Sequence, residues 1–306
     1  MATIKKPSLL VLGGTGFIGR HIIAESVNRG WLVTSASLTL PNKKKRNKKV
    51  EYYKVNLKSF LSVKKKLSKP FNYIINLAGY INHSNLKQDY SKITAEHFDV
   101  VKNIIKCVPR GNLKNFVQIG TSDEYGLARA PQSEKTKLSP KTIYSSAKVK
   151  TNNYLKKIYK KEKYPFVIAR LFLTYGPGQK KDRFIPQIIN GCLKNKKFPT
   201  TSGEQIRDFC YIDDTVYAIL LLLTSKKTVG KTYNVASGIP IKVKTVVNLV
   251  NKITGKGVPE FNKLKLNTHE NKELFANIKK IKKELNWKPK VSLLKGLNKT
   301  INAFKK

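Results

Sequence analysis

Short runs of consecutive apolar residues alternate with longer amphipathic stretches through the first half of the chain. Ser8-Leu9-Leu10-Val11-Leu12 has no polar alternation after its first residue, the pattern of a strand covered on both faces. Leu32 to Ala36, Val50 to Val55, Tyr73 to Leu77, Phe116 to Ile119 and Phe166 to Leu171 repeat that pattern, each after a helix-spaced segment or a polar loop. Strands alternating with helical segments predict βαβ units, so the expected class is α/β, a doubly wound parallel sheet. Beyond about Leu171 the pattern becomes irregular. Gly176-Pro177-Gly178, Pro186, Pro199 and Gly203 punctuate short helices and strands, which predicts a smaller α/β lobe. The expected division is therefore 1–171 for the sheet domain and 172–306 for the C-terminal lobe. No Gly-, Ser- or Pro-rich linker separates them, and no internal repeat is visible.

Composition narrows the class further. The chain has 306 residues, of which 40% are hydrophobic, enough for a sizeable core and too many for a disordered chain. The longest apolar stretch, Ala218 to Leu223, is far too short to cross a bilayer, and no signal-peptide pattern opens the sequence, so a cytoplasmic protein without a membrane partner is expected. Cys107, Cys192 and Cys210 are widely spaced and odd in number, which points to reduced thiols and to neither a disulfide framework nor a metal site. Lys and Arg number 61 against 18 Asp and Glu, a formal charge of +43. Such a field attracts phosphates of every kind. The excess is almost all lysine, however, spread along the chain as in Lys43-Lys44-Lys45-Arg46, Lys64-Lys65-Lys66 and Lys279-Lys280. It lacks the interleaved aromatics and arginines of a nucleic-acid groove, so it reads as solvated outer faces and no specific nucleic-acid partner is expected.

Gly13-Gly14-Thr15-Gly16-Phe17-Ile18-Gly19 follows directly on the first strand and opens an amphipathic helix running to about Asn28. In that context Gly13 takes the tight turn, Gly16 lets backbone approach a pyrophosphate and Gly19 allows close helix packing, while the helix N-terminus offers N–H groups to phosphates. The glycines recur every three residues. At this spacing the chain resembles the extended short-chain dehydrogenase/reductases, and the resemblance extends over nearly its whole length. Asn76-Leu77-Ala78-Gly79 is similar to the family's fourth-strand motif beside the cofactor, and Tyr144-Ser145-Ser146-Ala147-Lys148 to its Tyr-x-x-x-Lys. Tyr175-Gly176-Pro177-Gly178 and Arg207-Asp208-Phe209 resemble signatures of the nucleotide-sugar epimerase/dehydratase branch. The resemblance implies a Rossmann-type domain, a nucleotide-sugar-binding lobe and a nicotinamide cofactor. The cofactor is expected at Gly13, Thr15, Gly16, Phe17, Ile18, Gly19, Ser37, Asn56, Leu57, Leu77, Ala78, Gly79, Tyr144 and Lys148.

An acidic residue at the end of the second strand holds the adenosine ribose in NAD-using members; Ser37 stands there, with Lys43 to Arg46 close behind. A serine bonds a phosphate without repelling it, so NADP(H) is expected, with NAD(H) the alternative. Carbonyl reduction needs a proton donor, and an ordinary tyrosine titrates far above neutrality. The i, i+4 spacing of Tyr144 and Lys148 puts both on one helix face, where the ammonium favours the tyrosinate. The resemblance implies Tyr144 as acid/base, Lys148 as its electrostatic partner and ribose ligand, and Thr121 as the hydroxyl holding the reacting oxygen.

The segment Thr121-Ser122-Asp123-Glu124-Tyr125-Gly126 bears on the reaction. Sugar-nucleotide 4,6-dehydratases commonly carry Thr-Asp-Glu at its start; here a serine replaces the acid and Asp123 the longer glutamate, which ranks dehydration below oxidoreduction at C4. Asp123 remains a candidate catalytic residue, Glu124 reads as a solvated or loop-capping carboxylate, and Ser122, Asp123 and Arg207 are candidate substrate contacts, Arg207 for the diphosphate. Leu173 stands where the family usually has a substrate-binding asparagine, and Asn267-Thr268-His269-Glu270 where it has Arg-Pro-Gly-Asp. His97 and His269 read as surface or packing residues. The expected activity is stereospecific NAD(P)H-dependent reduction of a nucleotide-linked 4-keto-6-deoxyhexose, with an NAD-dependent 4-epimerase the main alternative and a 4,6-dehydratase behind it. A nucleic-acid-binding or regulatory protein on the same fold is the non-enzymatic alternative. The resemblance also implies a homodimer through the helix after Tyr144 and the segment Ile93 to Val108, opposed by lysine self-repulsion.

Overall fold

The computed structural model describes residues 6–79, 90–265 and 271–305. Within them the chain separates into two units that interleave in sequence: residues 1–124, 140–170 and 218–233 form the first, and residues 125–139, 171–217 and 234–306 the second. The sequence suggested one cut after Leu171; the chain instead passes between the units several times.

The sheet strands β1 (Ser8–Leu12), β2 (Leu32–Ser37), β3 (Val50–Lys54), β4 (Tyr73–Asn76), β5 (Asn115–Thr121) and β6 (Phe166–Leu171) are joined by a seventh, Thr232–Val235, which the apolar pattern had not marked. Their order is β3-β2-β1-β4-β5-β6 with Thr232–Val235 outside β6. The registered pairs β2–β3, β1–β2, β1–β4 and β4–β5 are all parallel. After β3 the chain returns across β1 to lay down β4, which makes the carboxyl ends of β1 and β4 the topological switch point, where ligands bind in open α/β sheets.

Alternation along β1 sets the layers. Leu10 and Leu12 belong to a cluster with Val63 and Leu67 of helix α2 (Phe60–Leu67), with Val101 and Ile104, and with Leu155 and Ile158. Leu9 and Val11, equally inaccessible, point to the opposite face, the side covered by α1 (Phe17–Asn28). The helix expected from Ile93 to Val108 is continuous but not uniform: α3 (Tyr90–Thr94) passes through a π-helical turn, Ala95–Asp99, into α4 (Val100–Cys107). Single π turns inside helices re-aim side chains and recur at functional sites. Helix α5 (Ile143–Glu162) begins with a capping box in which the Thr142 hydroxyl accepts from the Ser145 N–H at 3.1 Å and the Ser145 hydroxyl accepts from the Thr142 N–H at 3.1 Å.

In the second unit the strands Ile206–Arg207, Ile241–Lys242 and Glu273–Leu274 form a small sheet, and Leu173–Tyr175 pairs in parallel with Phe209–Tyr211. Asp208 ties its loops together. Its buried carboxylate accepts from the Ser237 N–H at 2.7 Å, the Ser237 hydroxyl at 2.6 Å, the Gly238 N–H at 2.8 Å and the Ala276 N–H at 3.3 Å. Burial pushes the Asp208 carboxyl up from its ordinary value while these donors pull it down.

Candidate active site

The turn after β1 is built for close approach. Gly13 has φ +77°, and a Cβ on Gly19 would lie 2.7 Å from the Gly13 carbonyl oxygen, so the first turn of α1 can pack on the loop only without one. The Gly13 N–H donates to the Ala36 carbonyl at 2.8 Å and the Leu77 N–H to the Leu12 carbonyl at 2.9 Å, which fastens the ends of β1, β2 and β4 together. The Asn76 side chain accepts from the Ala78 N–H at 3.1 Å and donates to Gln118 at 2.8 Å, shaping the Leu77-Ala78-Gly79 turn. Gly16 caps α1 with no side-chain acceptor, so the N–H groups of Phe17 and Ile18 open a helix end suited to a diphosphate. A glycine cradle, an uncapped helix end and a switch point fit a dinucleotide.

Ser37 ends β2 beside this loop and its hydroxyl accepts from the Thr15 N–H at 3.4 Å. Lys43–Lys45 form an exposed turn capped by Asn42. Asn56 is exposed and caps its own loop, whereas the Leu57 side chain lies in the core.

Thr121, Ser122, Asp123, Tyr144 and Lys148 all belong to the first unit. Thr121 ends β5, and its hydroxyl accepts from the Asp123 N–H at 3.3 Å. Ser122 is buried within the 3-10 turn Ser122–Tyr125. Tyr144 lies in the first turn of α5 and Lys148 one turn later. The Lys148 ammonium sits 5.8 Å from the centre of the Tyr144 ring and donates to the Ile119 carbonyl at 2.9 Å. That bond uses one of its three donors. Lys148 is 4% exposed, and burial pushes its pKa down to about 8, an effect the Glu124 carboxylate opposes.

Two neighbours were not anticipated. Glu124, expected as solvated or loop-capping, is 0% exposed: it does accept from the Thr121 N–H at 2.9 Å, but it also forms an ion pair with Arg170 at 2.8 Å and accepts from Asn152 at 2.9 and 3.0 Å. Solvation is thus corrected to burial, because a carboxylate in this layer is tolerable only when paired. His97, read as a packing or surface residue, is buried in the π-helical turn; its ring covers Gly79 and meets the Tyr144 ring edge to face at 5.2 Å. A lone histidine carries no signal of this along the chain.

In the second unit Arg207 is buried, with one guanidinium nitrogen donating to the Ile206 carbonyl at 2.8 Å and the Lys272 carbonyl at 3.4 Å. Leu173 is 41% exposed. Residues 267–270, His269 included, lie outside the described residues. Among the described residues no helix is long and apolar enough to cross a membrane.

Comparison with known proteins gives these features a family. The chain is 29% identical over 310 residues to the uncharacterized UDP-glucose epimerase YtcB of Bacillus subtilis (strain 168), covering 96% of each protein. It is 25% identical over 320 residues to the dTDP-4-dehydro-6-deoxyglucose reductase of Escherichia coli, covering 98% of each. The crystal structure of the Thermus thermophilus UDP-glucose 4-epimerase in complex with NAD superimposes with a TM-score of 0.86 at 21% identity, covering 97% of this chain and 99% of that one. The model for the "NAD dependent epimerase/dehydratase family" matches residues 9–236, from β1 to the end of the seventh sheet strand. The chain accordingly belongs to the NAD dependent epimerase/dehydratase family, among the enzymes of the short-chain dehydrogenase/reductase type.

Proposed function

We propose that the protein reduces the C4 ketone of a nucleotide-linked 4-keto-6-deoxyhexose, using NADPH. The observation that carries the choice of reaction is the state of the acids after Thr121. Elimination of water across C5 and C6 needs an acid and a base there; Ser122 occupies one position, and Glu124 is held in a buried ion pair with Arg170. Only Asp123 is left, too few for dehydration and sufficient as a substrate contact. The resemblance to the Escherichia coli reductase supports the same reading.

A bound nicotinamide cofactor would supply the hydride. Thr121 donates to the substrate's C4 oxygen and fixes its direction, and Tyr144 passes its proton to that oxygen as negative charge develops. Lys148 lies close enough to stabilise the resulting tyrosinate and has donors left for a ribose. Ser37, at the end of β2, and the lysines of the Asn42-capped turn would hold a 2′-phosphate that an acidic residue would repel. In the second unit Arg207 belongs to the same proposal as the residue that holds the diphosphate, and the helical segment Ile93 to Val108 with α5 as the homodimer contact. A 4-epimerase would use the same Tyr144, Lys148 and Thr121 with tightly held NAD, and is the second reading.

The test mixes purified protein, in separate reactions, with dTDP-4-keto-6-deoxyglucose and with UDP-glucose, and follows NADPH absorbance, with analysis of the sugars and of cofactor released on denaturation. NADPH consumed in proportion to sugar supports the reductase. Bound NAD, no net consumption and interconversion of C4 epimers overturn it in favour of the epimerase.

A further inference from the structure

We propose that Glu124 is a positioning residue of the active site: its buried carboxylate, clamped by Arg170 and Asn152, holds the Thr121 turn in place and sustains the charge on Lys148. The inference rests on the reading of Lys148 as a cofactor-binding ammonium.

The geometry is a four-residue network inside the first unit. One Glu124 oxygen accepts from the Thr121 N–H at 2.9 Å and from Asn152 at 3.0 Å; the other accepts from Asn152 at 2.9 Å and from the Arg170 Nε and terminal nitrogen at 3.0 and 2.8 Å. All of these groups are buried except the partly exposed Thr121. The network joins the end of β5 (Thr121), the middle of α5 (Asn152) and β6 (Arg170). Asn152 lies one turn beyond Lys148, on the same face of α5. Lys148 itself bonds to Ile119, two residues before Thr121, so the carboxylate and the ammonium both bond the end of β5.

A buried ammonium is costly unless an anion lies near. Tyr144 precedes Lys148 by one turn of α5, and Lys156 follows farther along it. The π-helical turn contributes His97, the turn after β5 contributes Asp123 and Glu124, and β6 contributes Arg170. Of these, the Glu124 carboxylate is the group whose field raises Lys148, against burial that lowers it. It therefore serves the chemistry without touching substrate.

The experiment titrates the wild type with NADH and NADPH by nucleotide fluorescence from pH 6 to 9.5, in parallel with Lys148→Met, Glu124→Gln and the double variant Glu124→Gln/Arg170→Met. The double variant removes both buried charges at similar volume, so it keeps the test open if the single change leaves Arg170 unpaired and the chain unfolds. In the wild type the affinity falls as pH rises through about 8 and the ammonium is lost. In Lys148→Met that fall is gone. In Glu124→Gln or the double variant it moves to lower pH by about one unit. A fall that depends on Lys148 but stays in place without Glu124 overturns this inference and leaves the site reading intact. A wild type without any Lys148-dependent fall overturns both.

Discussion

Replacing Lys148 by methionine should make the protein more stable at neutral pH while weakening the proposed cofactor binding. The ammonium is 4% exposed and its pKa is pushed from the ordinary 10.5 down to about 8 by burial. Below about 8 both folded and unfolded chains carry the charge, so the full cost of burying it is present. Between about 8 and 10.5 the unfolded chain binds a proton that the native one does not, so wild-type stability rises with pH across that window. The gap corresponds to about 3 kcal/mol of burial cost. Methionine fills similar volume without the charge but abandons the bond to the Ile119 carbonyl, a loss of about 1–2 kcal/mol. The net expectation is a gain of about 1–2 kcal/mol at pH 7 that vanishes or reverses by pH 10. Urea unfolding of both proteins at the two pH values reads this directly, as a difference in midpoint at constant slope. A variant less stable than wild type at pH 7, or a gain that is the same at pH 10, would refute the reasoning.

Gly19→Ala should abolish NADH binding and cost about 1–3 kcal/mol, because the new methyl meets the Gly13 carbonyl at 2.7 Å; unchanged binding by fluorescence titration would count against a cofactor at this loop. Ser37→Asp should lower the ratio of kcat/KM for NADPH over NADH at least about tenfold by repelling the 2′-phosphate, and a wild type that already prefers NADH would discard Ser37 as the selector. Thr142→Ala removes one half of the capping box that starts the helix carrying Tyr144, at about 1 kcal/mol in thermal unfolding, while Thr142→Ser should retain it. Asp208→Ala strands four donors of the second unit and should cost about 3 kcal/mol or more, measured by denaturant unfolding.

The strands and the glycine turn were legible because their signals are local. An apolar run such as Leu9 to Leu12 needs both faces covered whatever follows it, and Gly13 and Gly19 announce a tight turn and a close contact by lacking a side chain. The seventh strand was hidden: Thr232-Tyr233-Asn234-Val235 alternates polar and apolar residues, and Asn234 is buried because partners distant in sequence satisfy it. Glu124 does cap its turn as expected, but its burial was missed for the same reason. In the chain it is an acid in a turn, and its partners lie 28 and 46 residues away. Arg170 did carry a signal, since an arginine inside the otherwise apolar run Phe166 to Leu171 demands a buried carboxylate. The sequence named no particular one.

By itself, then, the sequence determined the α/β class, the glycine turn after β1 and the pairing of Tyr144 with Lys148, because each depends on residues within one or two helical turns or one strand–turn–helix unit. Tertiary structure alone decided the environment of that pair: the His97 ring against Tyr144, the depth to which Lys148 is buried, and the Glu124–Arg170 pair beside it. Those are long-range properties, since burial and electrostatic fields arise from every element packed around a group and carry no fixed spacing along the chain.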